Sequence, residues 1–251
     1  MDLTIKPYNY FRVYKMEGTM RPVDIAKKIN ISTSLLRHYE DREMIPPVSR
    51  GENNYRLYET THLAYLQCIM GMKGGFGVEL TEKVMKKLQQ GDVNSAFELI
   101  NYYQAEFFKE REFLKGILTK LNTKHLQSKG PKVMTIGELA EMTGVLPSAI
   151  RHWEKEGLIT SHRQQGNDYR TFNDSHIKRI WLIQLLKSSN LFLGDIQEII
   201  KHLNLDDEEQ LAFIATRTQK SLQEKTATQI HGIHALYSLC ETLNLVNKNE
   251  V

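Results

Sequence analysis

The chain repeats one stretch of sequence at a constant separation. Residues 35–40 read Leu-Leu-Arg-His-Tyr-Glu and return at 149–154 as Ala-Ile-Arg-His-Trp-Glu. Residues 55–58 read Tyr-Arg-Leu-Tyr and return at 169–172 as Tyr-Arg-Thr-Phe. Both pairs lie 114 residues apart, so no insertion separates the two echoes, and the repeat indicates one module that was duplicated.

Apolar residues follow the same register. Five apolar pairs coincide at this offset: Ile25 with Leu139, Ile45 with Ile159, Leu63 with Ile177, Leu66 with Ile180, and Ile69 with Ile183. The length of 251 residues suits one or two domains, and the repeat decides for two. With 41% hydrophobic and 25% charged residues, the composition is that of a globular chain that can bury ordinary cores.

Each copy starts with the pattern of two short helices joined by a tight turn. In the first copy, apolar residues have helical spacing over 22–29, Asn30 is suited to end that helix, and Ser32 is suited to cap the next. In the second copy the turn residue is Gly144, and Pro147 begins the second helix. A stretch rich in Gly, Asn and Asp between short aromatic segments follows in each copy and predicts a β-hairpin. A helix-turn-helix followed by a hairpin is a winged helix.

Two helices are predicted after each wing, and a long helix follows each pair. The paired helices are expected at 61–73 and 78–90 in the first copy, with a glycine-rich turn between them, and at 175–187 and 194–204 in the second. Apolar and long side chains then recur at alternating steps of four and three over 93–121, and more weakly over 211–243. This heptad spacing predicts long helices that pack on partner helices.

The motif residues resemble the MerR family of bacterial transcription regulators. The resemblance rests on Ile-Gly-Glu-Leu-Ala at 136–140, the turn glycine, Ile-Arg-His-Trp-Glu at 150–154, Glu-Gly-Leu-Ile at 156–159 and the Tyr-Arg of the wing, and the first copy is similar throughout. It implies a mostly α fold with two MerR-type winged helix-turn-helix modules, each followed by a long coiled-coil-type helix. The chain departs from the family pattern at Asn30 and Glu43, where glycine is usual, and at Leu146, where a capping Ser or Thr is usual.

The expected domain division follows from the repeat and the long helices. It comprises an N-terminal extension (1–19), a first winged-helix DNA-binding domain (20–91), a long pairing helix (92–125), a linker (126–132), a second winged-helix DNA-binding domain (133–205) and a second long pairing helix (206–246). Members of the family usually carry one module per chain and dimerise. Two arrangements therefore stay open, a single-chain pseudo-dimer and a homodimer with four winged helices.

The second helix and the wing of each module carry the candidate DNA-binding residues. A recognition helix needs side chains near its N-terminus that reach bases, with basic and hydroxyl groups placed for phosphates. On the recognition helices we expect Ser32, Thr33, Ser34, Arg37, His38 and Tyr39 in the first module, and Ser148, Arg151, His152 and Trp153 in the second. In the wings we expect Arg50, Tyr55, Arg56, Arg163, Tyr169 and Arg170, directed mainly to phosphates.

Some of these residues have a structural alternative. Tyr39 and Trp153 would also fill the cores of their modules, and this interpretation is slightly favoured. The arginines of the recognition helices would otherwise pair with Glu40 or Glu154 on a solvated helix face. The aromatic residues within 97–113 would line a small-molecule pocket or, as favoured, belong to core and seam packing.

Other chemistry finds little support in the sequence. Cys68 and Cys240 form no CxxC pair, and His231 and His234 lack the further ligands of a metal site, so no metal or cofactor is expected. No phosphate loop, Gly-x-Ser-x-Gly or His-Glu-x-x-His motif occurs, so we expect no enzyme. No signal peptide or apolar stretch of about 18 residues is visible, and we expect a cytoplasmic protein, at the nucleoid when bound to DNA, with no membrane partner.

The sequence thus predicts a sequence-specific DNA-binding transcription regulator. By the resemblance, it would bind a pseudo-palindromic site in double-stranded promoter DNA with two winged helices, distort the DNA, and so act on RNA polymerase indirectly. The net charge of +3 permits DNA binding without demanding it. The alternative is an architectural or chromosome-organising DNA-binding protein that needs no small-molecule effector.

Overall fold

Helices form most of the computed structural model, which describes residues 18–122, 133–163, 169–188, 191–204 and 207–246. The helices are α1 (Pro22–Lys28), α2 (Thr33–Asp41), α3 (Thr60–Gln89), α4 (Val93–Asn122), α5 (Ile136–Thr143), α6 (Pro147–Lys155), α7 (Asp174–Ser188), α8 (Leu193–His202) and α9 (Glu208–Thr242). The strands are β1 (Ser49–Arg50), β2 (Arg56–Leu57), β3 (His162–Arg163) and β4 (Arg170–Thr171). The mostly α fold with winged helix-turn-helix elements is confirmed.

The first module is a helix-turn-helix with a short wing. Asn30 takes a left-handed backbone conformation (φ 54°) in the turn between α1 and α2. Ser32 then caps α2, because its hydroxyl accepts a hydrogen bond of 3.0 Å from the backbone N–H of Leu35. Strands β1 and β2 pair antiparallel, and an isolated bridge joins Met20 to Tyr58 beside them.

The second module repeats this arrangement 114 residues later. Gly144 occupies the left-handed turn position (φ 68°), and α6 begins with Pro147. Strands β3 and β4 pair antiparallel, and the isolated bridge joins Met134 to Phe172. All of these features follow the 114-residue offset except β3, which lies 113 residues after β1, so the segment between the two wing strands is one residue longer in the second module.

The helices after the wings agree with the prediction except in the detail of one turn. In the first module the two expected helices form the continuous element α3, in which Gly77 alone is non-helical (φ 75°, ψ 165°). The predicted glycine-rich turn is therefore a one-residue break, which glycine permits because it has no Cβ. In the second module α7 and α8 are separate helices.

The chain forms two compact units, and each contains parts of both long helices. The first unit comprises the residues up to Glu106 and those from Lys225 onward, and the second comprises Phe107–Glu224. In the first unit Ile100 of α4 and Leu236 of α9 belong to the core of the first module. In the second unit Leu114 of α4 and Ile214 of α9 belong to the core of the second module.

Two glycines allow a close crossing of α3 and α9 in the first unit. A Cβ on Gly75 would lie 2.6 Å from the backbone nitrogen of Gln229, and a Cβ on Gly232 would lie 2.9 Å from the ring of Phe76. The side-chain amide of Gln229, itself 3% exposed, donates to the carbonyl of Gly75 at 3.4 Å. The helices approach so closely because neither glycine carries a side chain.

Candidate nucleic-acid interface

Helix α2 presents polar side chains from its N-terminal half to solvent. Ser32, Ser34, Arg37 and His38 are exposed, and Thr33 is half-buried. Leu36, on the opposite face, is completely buried. The apolar face holds the helix against the module, so the basic and hydroxyl side chains point away from it.

Helix α6 presents the equivalent face in the second module. Ser148, Arg151 and His152 are exposed, whereas Ile150 is 1% exposed. Within the described part of the chain, neither Arg37 nor Arg151 forms a hydrogen bond or an ion pair. The two repeated guanidinium groups are thus available at equivalent places on two similar helices.

Tyr39 and Trp153 lie in the module cores. Their exposed fractions are 2% and 5%, and burial raises the pKa of the Tyr39 hydroxyl. The ammonium group of Lys187 lies 5.4 Å from the centre of the Trp153 ring. The structure therefore places both aromatic residues where the packing alternative had them, away from the exposed face of the recognition helix.

The wings carry exposed aromatic residues. Tyr55 and Tyr169 are 68% and 69% exposed. Arg50 is also exposed, and its guanidinium donates to the backbone carbonyl and the side-chain oxygen of Asn54 at 3.3 Å. The backbone of Arg163 lies in β3, but its side chain and residues 164–168 at the tip of the second wing lie outside the described residues.

A carboxylate at the end of each recognition helix binds the arginine of the wing. The Arg56 Nε donates to both carboxylate oxygens of Glu40 at 2.9 Å, and the Arg170 Nε donates to Glu154 at 2.9 Å. The hydrogen bond from Arg56 to Glu40 and the negative charge of that carboxylate raise the pKa of Arg56. Glu40 and Glu154 therefore pair with the wing arginines and not with Arg37 and Arg151 of the recognition helices.

The second donor to this carboxylate differs between the modules. In the first, the Tyr58 hydroxyl donates to Glu40 at 3.1 Å, and burial together with that carboxylate raises the tyrosine pKa to about 12. In the second, Phe172 stands at the position of Tyr58, and the Ser161 hydroxyl donates to Glu154. Both carboxylates therefore accept at least two side-chain donors, and each ties a wing to its recognition helix.

A repeated histidine, which the sequence argument missed, joins the base of each wing to the next helix. The backbone N–H of Glu59 donates to Nδ1 of His62 at 2.9 Å, and that of Asn173 donates to Nδ1 of His176 at 3.1 Å. Nε2 of each ring lies at a backbone carbonyl, that of Pro47 for His62 and that of Thr160 for His176. The 114-residue offset between the two histidines was the signal that could have found them.

The other candidate residues from the sequence are the two cysteines and the aromatic residues of α4. Cys68 and Cys240 are completely buried in the first core, and burial raises the pKa of both thiols. Among the described residues no group of three His, Cys, Asp or Glu side chains is placed to hold a metal ion. Of the aromatic residues on α4, Phe107 is 6% exposed, whereas Tyr102 and Phe108 are 70% and 53% exposed. None of the described helices is both long and apolar enough to cross a membrane.

Both modules match profiles of one family. Residues 134–203 match the profile described as MerR HTH family regulatory protein, and residues 21–58 match that of MerR family regulatory protein. A ZntR homolog of Haemophilus influenzae, an HTH-type transcriptional regulator, is 30% identical over 102 residues, which are 40% of this chain and 73% of that protein. The chain belongs to the MerR family. It is accordingly a DNA-binding transcription regulator.

Other relatives of this MerR-family protein are also HTH-type regulators. CueR of Escherichia coli O157:H7 is 29% identical over 91 residues, 36% of this chain and 67% of CueR. A SoxR homolog of Chromobacterium violaceum, a transcriptional activator, is 40% identical over 63 residues, 25% of this chain and 42% of that protein. Among solved structures, HiNmlR, a MerR family regulator lacking the sensor domain and bound to promoter DNA, is 23% identical, with 45% of this chain and 92% of that chain covered and a TM-score of 0.35.

Proposed function

We propose that this MerR-family regulator binds a pseudo-palindromic promoter site with both winged helices of one chain. One observation carries the proposal: Arg37 and Arg151 are exposed at equivalent positions of two similar helices, without a protein partner in the described part of the chain. An arginine with a free fork binds guanine edges or phosphates. A chain with two such helices would engage two half-sites.

The side chains near the start of each recognition helix would read the bases. This group comprises Ser32, Thr33, Ser34, Arg37 and His38 on α2, and Ser148, Arg151 and His152 on α6. The exposed Tyr55 and Tyr169, with Arg50 and Arg163, would contact the DNA backbone from the wings. Arg56 and Arg170 would act chiefly by holding each wing against its recognition helix, since both donate to the glutamate of that helix.

The single chain would take the place of the dimer that its relatives make from two chains. The composition of the compact units supports this, because each module shares its core with segments of both long helices. Binding both half-sites with one chain would bend and untwist the DNA between them. By the mechanism that the family resemblance implies, this distortion would realign promoter elements for RNA polymerase.

The test is DNA binding by the full-length protein and by three variants. Genomic fragments are mixed with wild type, Arg37→Ala, Arg151→Ala, or the control Lys220→Ala, which removes an exposed charge on α9 outside either module. We expect a few strong sites with approximate two-fold symmetry. Each arginine variant should bind these sites about tenfold or more weakly, since one bidentate contact discriminates by roughly 1–3 kcal/mol.

The control separates base recognition from general charge. Lys220→Ala should bind like the wild type at about 0.15 M salt, because Lys220 lies outside both winged helices and salt screens exposed charges. Many weak sites whose occupancy follows DNA shape would instead support the architectural alternative. Loss of binding in only one of the two arginine variants would show that one module does not contact DNA.

A further inference from the structure

The start of the recognition helix differs chemically between the two modules. In the first module Ser32 caps α2 through its hydroxyl, which accepts from the backbone N–H of Leu35. At the equivalent position of the second module stands Leu146, which forms no side-chain cap and is 73% exposed. Leu146 is thus a large apolar side chain held in solvent at the N-terminal end of the recognition helix α6.

Such a residue fits one group in the DNA major groove. Recognition helices contact base edges with their N-terminal residues. The edges present hydrogen-bonding atoms and a single apolar group, the C5-methyl of thymine. The Ser32 hydroxyl accepts the capping hydrogen bond and keeps its O–H for a base, whereas Leu146 offers only apolar surface, so the two modules present different chemistry to the base at this position.

The two modules also differ in charge. Residues 20–58 contain seven basic and five acidic residues, a net charge of +2, whereas the equivalent residues 134–172 contain four basic and five acidic residues, a net charge of −1. For example, the first module has the exposed Lys27 on α1, and the second module has the exposed Glu141 at the equivalent position of α5. Because phosphate contacts supply sequence-independent affinity, the first module has the greater capacity for them.

We propose that the protein reads an asymmetric operator in one orientation, and that Leu146 is a specificity-determining residue that contacts a thymine methyl in the half-site of the second module. The first module anchors its half-site through phosphates and Arg37. The second module depends more on base contacts, made by Arg151 and Leu146. This inference rests on the proposed function, because it requires both modules to bind DNA.

The chemical test removes single methyl groups from the DNA. After the preferred sequence has been selected from random DNA with the full-length protein, each thymine is replaced in turn by uracil, which lacks only that methyl. For the wild type, one replacement in one half-site should weaken binding about three- to fivefold, the value expected for one buried methyl group. The variant Leu146→Ser should bind the thymine and uracil forms equally.

Two matched controls keep the result interpretable. Leu146→Ser gives α6 the same capping hydroxyl that Ser32 provides for α2, so the variant should not destabilise α6. Leu146→Met retains an apolar side chain and should remain sensitive to the same uracil. Sensitivity that persists in Leu146→Ser, or the absence of any sensitive thymine in the wild type, would overturn the role of Leu146.

Orientation is tested with symmetrised operators. Two artificial sites, each built from two copies of one half-site, should bind more weakly than the selected site, by about tenfold for a mismatch of one or two base pairs. Equal binding to all three, or selection of a perfect palindrome, would refute the asymmetric operator while leaving the proposed function intact. If no sequence is enriched, the proposed function fails and the inference with it.

Discussion

Four turn residues adopt left-handed backbone conformations at two pairs of equivalent positions. Asn30 and Glu43 do so in the first module, with φ of 54° and 55°, and Gly144 and Gly157 do so in the second, with φ of 68° and 73°. A residue with a Cβ pays roughly 1 kcal/mol for this conformation, and Asn pays less than Glu. Glu43 is therefore the position of greatest backbone strain among these four.

We expect Glu43→Gly to stabilise the first module by about 1 kcal/mol. The ion pair that is lost, to Lys86 at 3.6 Å, is weak because the Glu43 side chain is 80% exposed. Hydrogen exchange of the amides of α1 and α2 would measure the gain.

The reciprocal change Gly157→Ala should destabilise the second module by a similar amount. The urea midpoint of this variant can be followed by tryptophan fluorescence, because Trp153 and Trp181 both lie in the second core. Unchanged stability in both variants would refute the assignment of strain.

The buried His176 should make the second module sensitive to acid. Burial holds its pKa below the ordinary value of 6.5, and the nearby His162 and Arg179 lower the pKa further, which outweighs the opposite effect of the hydrogen bonds with Thr160 and Asn173. Because the unfolded chain binds this proton more readily, the contribution of His176 to stability is complete above about pH 6.5 and is lost as the pH falls toward the lower native pKa.

The experiment compares the unfolding free energy of the wild type and His176→Gln by tryptophan fluorescence between about pH 5 and pH 7.5. The wild type should lose more stability than the variant on acidification. Parallel pH profiles for the two proteins would contradict the prediction, since other groups titrate in both.

At the scale of helices, the crossing of α3 and α9 depends on the absence of two side chains. Gly75→Ala would place a methyl group against the backbone of Gln229, which cannot rotate away, so we expect a loss of about 2–3 kcal/mol in the stability of the first unit. Gly74→Ala is a matched control, because a Cβ there meets nothing within 4 Å. The control should be neutral or stabilise the helix by up to about 1 kcal/mol. Hydrogen exchange of α3 would measure both, and equal effects would show that the crossing tolerates a methyl group.

At the scale of the whole molecule, the proposal that one chain replaces a dimer predicts a monomer. Light scattering at several concentrations should return the mass of one chain, 29.2 kDa, because the long helices already find apolar partners within each unit. The variant Leu236→Asp places a charge in the first core and should expose apolar surface. Its mass, measured in the same way, shows whether exposed apolar surface by itself makes the chain associate. A mass of two chains for the wild type would favour the homodimer with four winged helices.

The sequence alone determined the features that depend on neighbouring residues. The repeat located both winged helices, turn chemistry located Asn30 and Gly144, and the cap at Ser32 located the start of α2, because each depends on residues a few positions apart. The exposed face with Arg37 and Arg151 followed from helical spacing for the same reason.

Only the tertiary structure decided which distant residues meet. Glu40 and Arg56 are 16 residues apart, and Gln229 lies 154 residues from Gly75, so no local pattern signals either contact. The burial of Tyr39 and Trp153 was open for a similar reason, since an aromatic side chain suits a protein core and a DNA backbone equally well. Packing resolved it, because the same helix face carries the wholly buried Leu36 in one module and the nearly buried Ile150 in the other.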